Sequence, residues 1–135
     1  MPAIMADHDI EGQMQVLLRL LVSSEWRLLW TELAIRVESF ASLGVSVDTP
    51  DGELGRLCQT HQIVLVTGNR NNEGPASLEA VIQEANTPAS LPVLTIGEPQ
   101  GIFSNNTYAH HVVERLMEYL VDLDNLRGTG RLYLP

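Results

Sequence analysis

Ile63-Val64-Leu65-Val66-Thr67 runs straight into the polar stretch Gly68-Asn69-Arg70-Asn71-Asn72-Glu73-Gly74-Pro75. A β-branched run with no polar alternation is the pattern of a strand covered on both faces, as in the middle of a parallel sheet. The polar loop then falls at the carboxyl end of that strand, where open parallel sheets carry their sites. Outward from this centre, Ala3-Ile4-Met5-Ala6 and Val93-Leu94-Thr95-Ile96 repeat the short apolar pattern, and Arg131-Leu132-Tyr133-Leu134 reads as an added edge strand.

The segments between these runs have helical periodicity. Met14, Leu17, Leu18 and Leu21 recur at the spacing of one helix face. Trp26 to Trp30 fits either a continued helix or a short strand, and Leu33, Val37 and Phe40 predict a second helical stripe stopped by Gly44. Thr49-Pro50 opens the next helix, with threonine as cap and proline in the first turn, and Leu54, Leu57, Cys58 and His61 follow at helical spacing. Ser77 to Ala85 (Leu78, Val81, Ile82, Ala85) and Thr107 to about Asn125 (Val112, Leu116, Leu120, Leu123) complete the helices. Strands alternating with helices predict an α/β fold with a mainly parallel sheet. With no internal repeat, linker or low-complexity stretch, residues 1–135 are expected to form one domain.

Composition excludes several classes of function. The chain has 135 residues, enough to bury a core without disulfides, and 44% of them are hydrophobic, which excludes wholesale disorder. No apolar run approaches the ~20 residues of a membrane span, and Met1 to Asp9 lacks the basic-then-apolar order of a signal peptide, so a cytoplasmic location is expected. One cysteine, Cys58, allows neither an internal disulfide nor a multi-cysteine zinc site. All eight basic residues are arginine, so there is no P-loop lysine and no Schiff-base lysine. A net charge of −9 argues against a general nucleic-acid coat protein.

The polar residues gather where strands are expected to end. Asp7 and Asp9 follow the first strand, Asp48 and Asp51 stand at the start of a helix, and Asn69, Arg70, Asn71, Asn72 and Glu73 follow the central strand. Carboxylates converging on an apolar scaffold repel one another unless a cation bridges them, and hard oxygen donors suit Mg²⁺ or Mn²⁺. A metal so held can activate water for displacement at phosphorus. Each residue also has a plainer reading. Asp51 and Glu53 suit a helix dipole, and Asp9 suits the cap of the first helix. Asp7, at the end of a buried strand, is the hardest to explain by structure alone.

Ile4-Met5-Ala6-Asp7-His8-Asp9-Ile10-Glu11-Gly12-Gln13 resembles the first strand and acidic turn of PIN-like proteins. Asp51-Gly52-Glu53-Leu54 and Ile63 to Asn71 resemble their second acidic position and central strand. The chain as a whole is similar to small bacterial, cyanobacterial-type PIN-like proteins of unassigned function that end in a stretch like Gly128 to Pro135. The resemblance implies a three-layer α/β/α sandwich related to metal-dependent ribonucleases, including toxins of toxin–antitoxin pairs. By position it implies catalytic roles for Asp7, Asp51 (or Asp48) and Asn69, with RNA as substrate and Arg70 and Asn71 to bind it. It implies a Mg²⁺ or Mn²⁺ ion on Asp7, Asp9, Asp51 and Glu73. Active nucleases of the family carry aspartate after the central strand where this chain has Asn69 and Asn71. The alternative is therefore a non-catalytic PIN-like module acting through protein contacts, as a homodimer or with a cognate partner protein.

Other features have plainer readings. Arg70 suits either a phosphate or an ion pair with Asp7 or Asp51. His8, on a strand, would point away from both flanking aspartates and pack in the core or on the surface. His110 and His111 are adjacent and share no helix face, Cys58 reads as a small buried hydrophobe, and Asn105 as the cap of the last helix. Trp26 and Trp30 predict one patch, either core or subunit interface.

Overall fold

The structure, a computed structural model, describes residues 2–23, 25–68 and 77–135. Strand β1 (Ala3–Ala6) ends in a 3-10 turn (His8–Ile10) that leads into α1 (Glu11–Ser23), and α2 (Arg27–Leu33) follows. Then come β2 (Arg36–Glu38), α3 (Phe40–Leu43), α4 (Asp51–Thr60) and the central strand β3 (Ile63–Thr67). Helix α5 (Leu78–Ala85), β4 (Val93–Ile96), α6 (Gly101–Ser104), α7 (Asn106–Val121), a 3-10 turn (Leu123–Leu126) and β5 (Arg131–Leu134) complete the chain. The five strands form one sheet in the order β2-β1-β3-β4-β5, and every pairing is parallel. Helices flank the sheet on both faces, the three-layer α/β/α arrangement expected.

The pleat sorts the strand residues into two cores. Ile4, Ala6, Val64, Val66, Leu94 and Ile96 face α1 and α7, where Met14, Leu17, Leu21, Val112, Leu116 and Leu120 meet them. Ala3, Met5, Ile63, Leu65 and Val93 face the other way, against Phe40, Leu54, Cys58 and Leu78. Period-2 strands between period-3.6 helices produce this division. Each large aliphatic side chain fully buried here contributes roughly 1.5–3 kcal/mol.

Two local expectations are corrected. The stripe Leu33, Val37 and Phe40 is not one helix: Leu33 ends α2, Val37 lies in β2 and Phe40 starts α3. Ala34 takes a left-handed conformation (φ 53°) that breaks the helix, and Ile35-Arg36-Val37-Glu38 alternates as a half-exposed edge strand does. Gly44 does stop a helix, the short α3, with φ 70°. Of Trp26 to Trp30, Trp26 stands at the cap position and Arg27 to Trp30 open the separate helix α2, and both indoles pack half-buried against the larger core. Thr49 does not cap α4: its hydroxyl donates to the Ser46 carbonyl at 2.6 Å, and Pro50 stands at the cap position.

The third and fourth strands are joined by a short ladder. β3 and β4 pair only at Val66↔Leu94 and Thr67↔Thr95. Below that, the Gln59 amide of α4 bridges to the main chain of Leu91, accepting from its N–H at 2.9 Å and donating to its carbonyl at 2.7 Å. At the far edge, Tyr119 of α7 donates to the Tyr133 carbonyl at 3.0 Å, occupying a β5 acceptor that would otherwise attract another strand. No helix among the described residues is long and apolar enough to cross a membrane.

Candidate functional site

Asp7 is the first residue beyond β1. Its N–H still belongs to the sheet, donating to the Val66 carbonyl at 2.8 Å. Its side chain then turns to cap the 3-10 turn, so the role expected of Asp9 falls to Asp7 instead. One carboxylate oxygen accepts from His8 N–H at 2.7 Å, and the other accepts from Thr67 Oγ at 3.1 Å. Thr67 closes β3 and is fully buried, while Asp7 is 6% exposed. The pair therefore bridges the ends of β1 and β3. With strands ordered 2-1-3-4-5, chain direction across the sheet reverses between these two, which is where doubly wound sheets open a crevice for ligands.

Asp51 brings a second carboxylate to the same place. It is half-buried in the first turn of α4, where a negative charge is favoured by the helix dipole. Its charge is felt at Asp7. Burial, and next the Asp51 charge, push the Asp7 carboxyl above its ordinary value, against the lowering effect of the His8 N–H and Thr67 hydroxyl. Asp9 adds a smaller push in the same direction. Asp48, the alternative to Asp51, is exposed on the preceding loop, where its N–H donates to Ser46 Oγ at 3.0 Å. Of the two, Asp51 is the one coupled to Asp7.

The other expected residues divide clearly. Asp9 is exposed within the 3-10 turn. His8 lies in that turn and not on the strand, which corrects its expected placement. It is exposed, with Nδ1 3.3 Å from Glu11 Oε1 and its ring edge-on to Phe40 at 6.1 Å between centroids. Asn69, Arg70, Asn71 and Glu73 lie outside the described residues. His110 and His111 are both exposed on α7, and Asn105 caps that helix by accepting from Tyr108 N–H at 3.1 Å. Cys58 lies buried on α4. Burial, then the Asp7 charge, push its thiol up to about 12, so it stays protonated as a small apolar group.

Two polar groups on the same sheet face escaped the sequence reading. Thr95 pairs in register with Thr67 and is likewise fully buried. Arg131 of β5 reaches it: one guanidinium nitrogen donates to Thr95 Oγ, and Nε donates to Glu79 Oε2 of α5 at 2.9 Å. The buried arginine is thus already matched by a carboxylate. Asp7 just beyond β1, Thr67 of β3 and Thr95 of β4 thus lie side by side, and the Arg131 side chain reaches Thr95 from a position level with Val93.

As donors, Asp7 and Asp51 suit a hard cation that keeps most of its waters and takes one or two carboxylates. Among the described residues, no group of three or more His, Cys, Asp or Glu side chains is placed to hold a metal, so any further protein donor would come from elsewhere. Comparison of the chain with protein-family models, with curated proteins and with solved structures found no match.

Proposed function

We propose that this chain is a divalent-cation-dependent phosphodiesterase acting on single-stranded RNA, in the manner of the PIN-like proteins its sequence resembles. One observation carries the reading. A buried aspartate at the topological switch point has its carboxyl pushed above the ordinary value by burial and by a neighbouring carboxylate, so that its ionised form is disfavoured unless a bound cation offsets both. The His8 N–H and Thr67 hydroxyl fix the orientation of the Asp7 carboxylate, leaving a lone pair on each oxygen for a ligand. Asp51 supplies the second donor, and Asn69, Asn71 or Glu73 a third. Arg70, in the same loop, would take a substrate phosphate in bidentate fashion. When bound, Mg²⁺ or Mn²⁺ would supply activated water and neutralise charge developing at phosphorus.

The test is incubation of single-stranded RNA with the protein and Mn²⁺, beside Asp7→Asn. Cleavage by the wild type that falls at least a hundredfold in the variant supports the reading. Equal cleavage by both, or none by either, rejects it.

A second reading, a non-catalytic module that pairs with a second copy or a cognate partner, has its own support. Uncharged Asn69 and Asn71 weaken a cation site, and apolar side chains stand exposed around the α1–α2 junction, where Leu28 is 76% and Val22 52% exposed. Light scattering at twice 14.9 kDa, reduced to the monomer mass by Leu28→Asp, would favour it.

A further inference from the structure

Helices α4 and α5 lie side by side over the sheet face opposite α1 and α7, with a groove between them in which the Gln59 amide of α4 is bonded to the main chain of Leu91, just ahead of β4. The two helices touch closely at one end, where a Cβ on Gly55 would stand 2.7 Å from Leu78 Cδ1. Beyond that contact they enclose a cavity of about 300 Å³, walled by Val81, Ile82 and Ala85 and floored by Leu91 and Val93. This size and apolar lining lie at the small end of the range of ligand pockets.

Among the described residues, one charged side chain lines the groove, and it is positive. Arg56 is exposed on α4 at its rim. No carboxylate of the described residues forms a salt bridge with it, although the chain carries 17 acidic residues against 8 basic ones. The polar groups along the walls are engaged within the fold: the Gln59 amide with Leu91, the Asn86 amide N–H with the Gly128 carbonyl at 2.7 Å. An apolar trough whose mouth carries a guanidinium with no carboxylate partner among the described residues matches a small amphipathic anion, the tail against Ile82 and Leu91 and the carboxylate on Arg56.

We propose that the α4/α5 groove binds a medium-chain carboxylate, its head group paired with Arg56. The site is separate from the aspartate pair and does not depend on the reading given for it. Titration of the full chain with octanoate, followed by calorimetry and amide NMR, tests it, with 1-octanol as the neutral comparison. The expected result is saturable binding that shifts the Gly55, Ile82, Leu91 and Gly130 amides. Arg56→Gln should weaken octanoate at least tenfold and leave octanol unchanged. Ala85→Leu, which fills the groove from an exposed helix position, should abolish binding while circular dichroism stays that of the wild type. Equal octanoate affinity in Arg56→Gln, binding that survives Ala85→Leu, or shifts confined to other surfaces would overturn the proposal. Absence of saturable binding would overturn it equally.

Discussion

The two faces of the sheet are built to different ends. Against α1 and α7, residues from all the central strands meet an unbroken apolar layer in which Leu17, Val112, Leu116 and Met117 are wholly buried. Against α4 and α5 the apolar cluster is smaller, and polar groups gather toward the carboxyl ends of the inner strands: Thr67 and Thr95, with Asp7 just beyond β1 and Arg131 reaching Thr95 from the start of β5. The same strands supply both faces, alternating residue by residue. Stability is concentrated on one side, and the groups capable of chemistry on the other.

Substitutions should separate the two. The largest effect is expected from Leu116→Ala on the apolar face, which should cost about 3–4 kcal/mol by denaturant titration, through lost burial and the cavity left behind. If the loss were below about 1 kcal/mol, that layer would be less tightly packed than described. On the polar face, Glu79→Gln removes the carboxylate that matches the buried Arg131 guanidinium and should cost about 2 kcal/mol. A neutral result would mean that the pair adds nothing net to stability.

Asp7→Asn should have the opposite sign. The folded chain holds Asp7 above its ordinary protonation range, so its ionised form is unfavourable at neutral pH and the protonated form is not. Stability from this group is present in acid, below the ordinary carboxylate range, and is lost as pH rises through the raised value. Thermal unfolding at pH 7 without added metal should therefore show the variant a few degrees more stable, a gain that vanishes on acidification. A lower melting temperature in the variant would show that the His8 and Thr67 hydrogen bonds outweigh burial. The smallest effect is expected from Tyr119→Phe, which uncovers the Tyr133 carbonyl at the β5 edge and should cost about 1 kcal/mol.

How far the sequence discloses this arrangement depends on the range of the interactions. β1, β3 and β4 are legible because continuous apolar runs of four or five residues have few readings besides a buried strand. Asp7 is legible for the related reason that it ends such a run. β2 is not, because a three-residue strand between two helices gives too short an alternation to compete with the helical spacing of Leu33, Val37 and Phe40. The caps went astray by one local choice: Thr49 and Ser46 satisfy each other, and Asp7 takes the turn that Asp9 was expected to hold. Thr95, Arg131 and Glu79 carry no signal at all in the sequence, since the ion pair joins residues 52 positions apart and exists only once β5 lies beside β4 under α5. Thr67 had a weak signal, as the polar last residue of the central strand, directly before the polar loop.

Asp7 and Asp51 together are expected to form a cation site. Calorimetric titration of the apo protein with Mn²⁺, beside Asp7→Asn and Asp51→Asn, measures this directly. The expected result is one saturable site in the wild type, weakened at least tenfold in each variant, with Mg²⁺ competing for it. The absence of saturable binding, or a Mn²⁺ affinity unchanged by both substitutions, would contradict it.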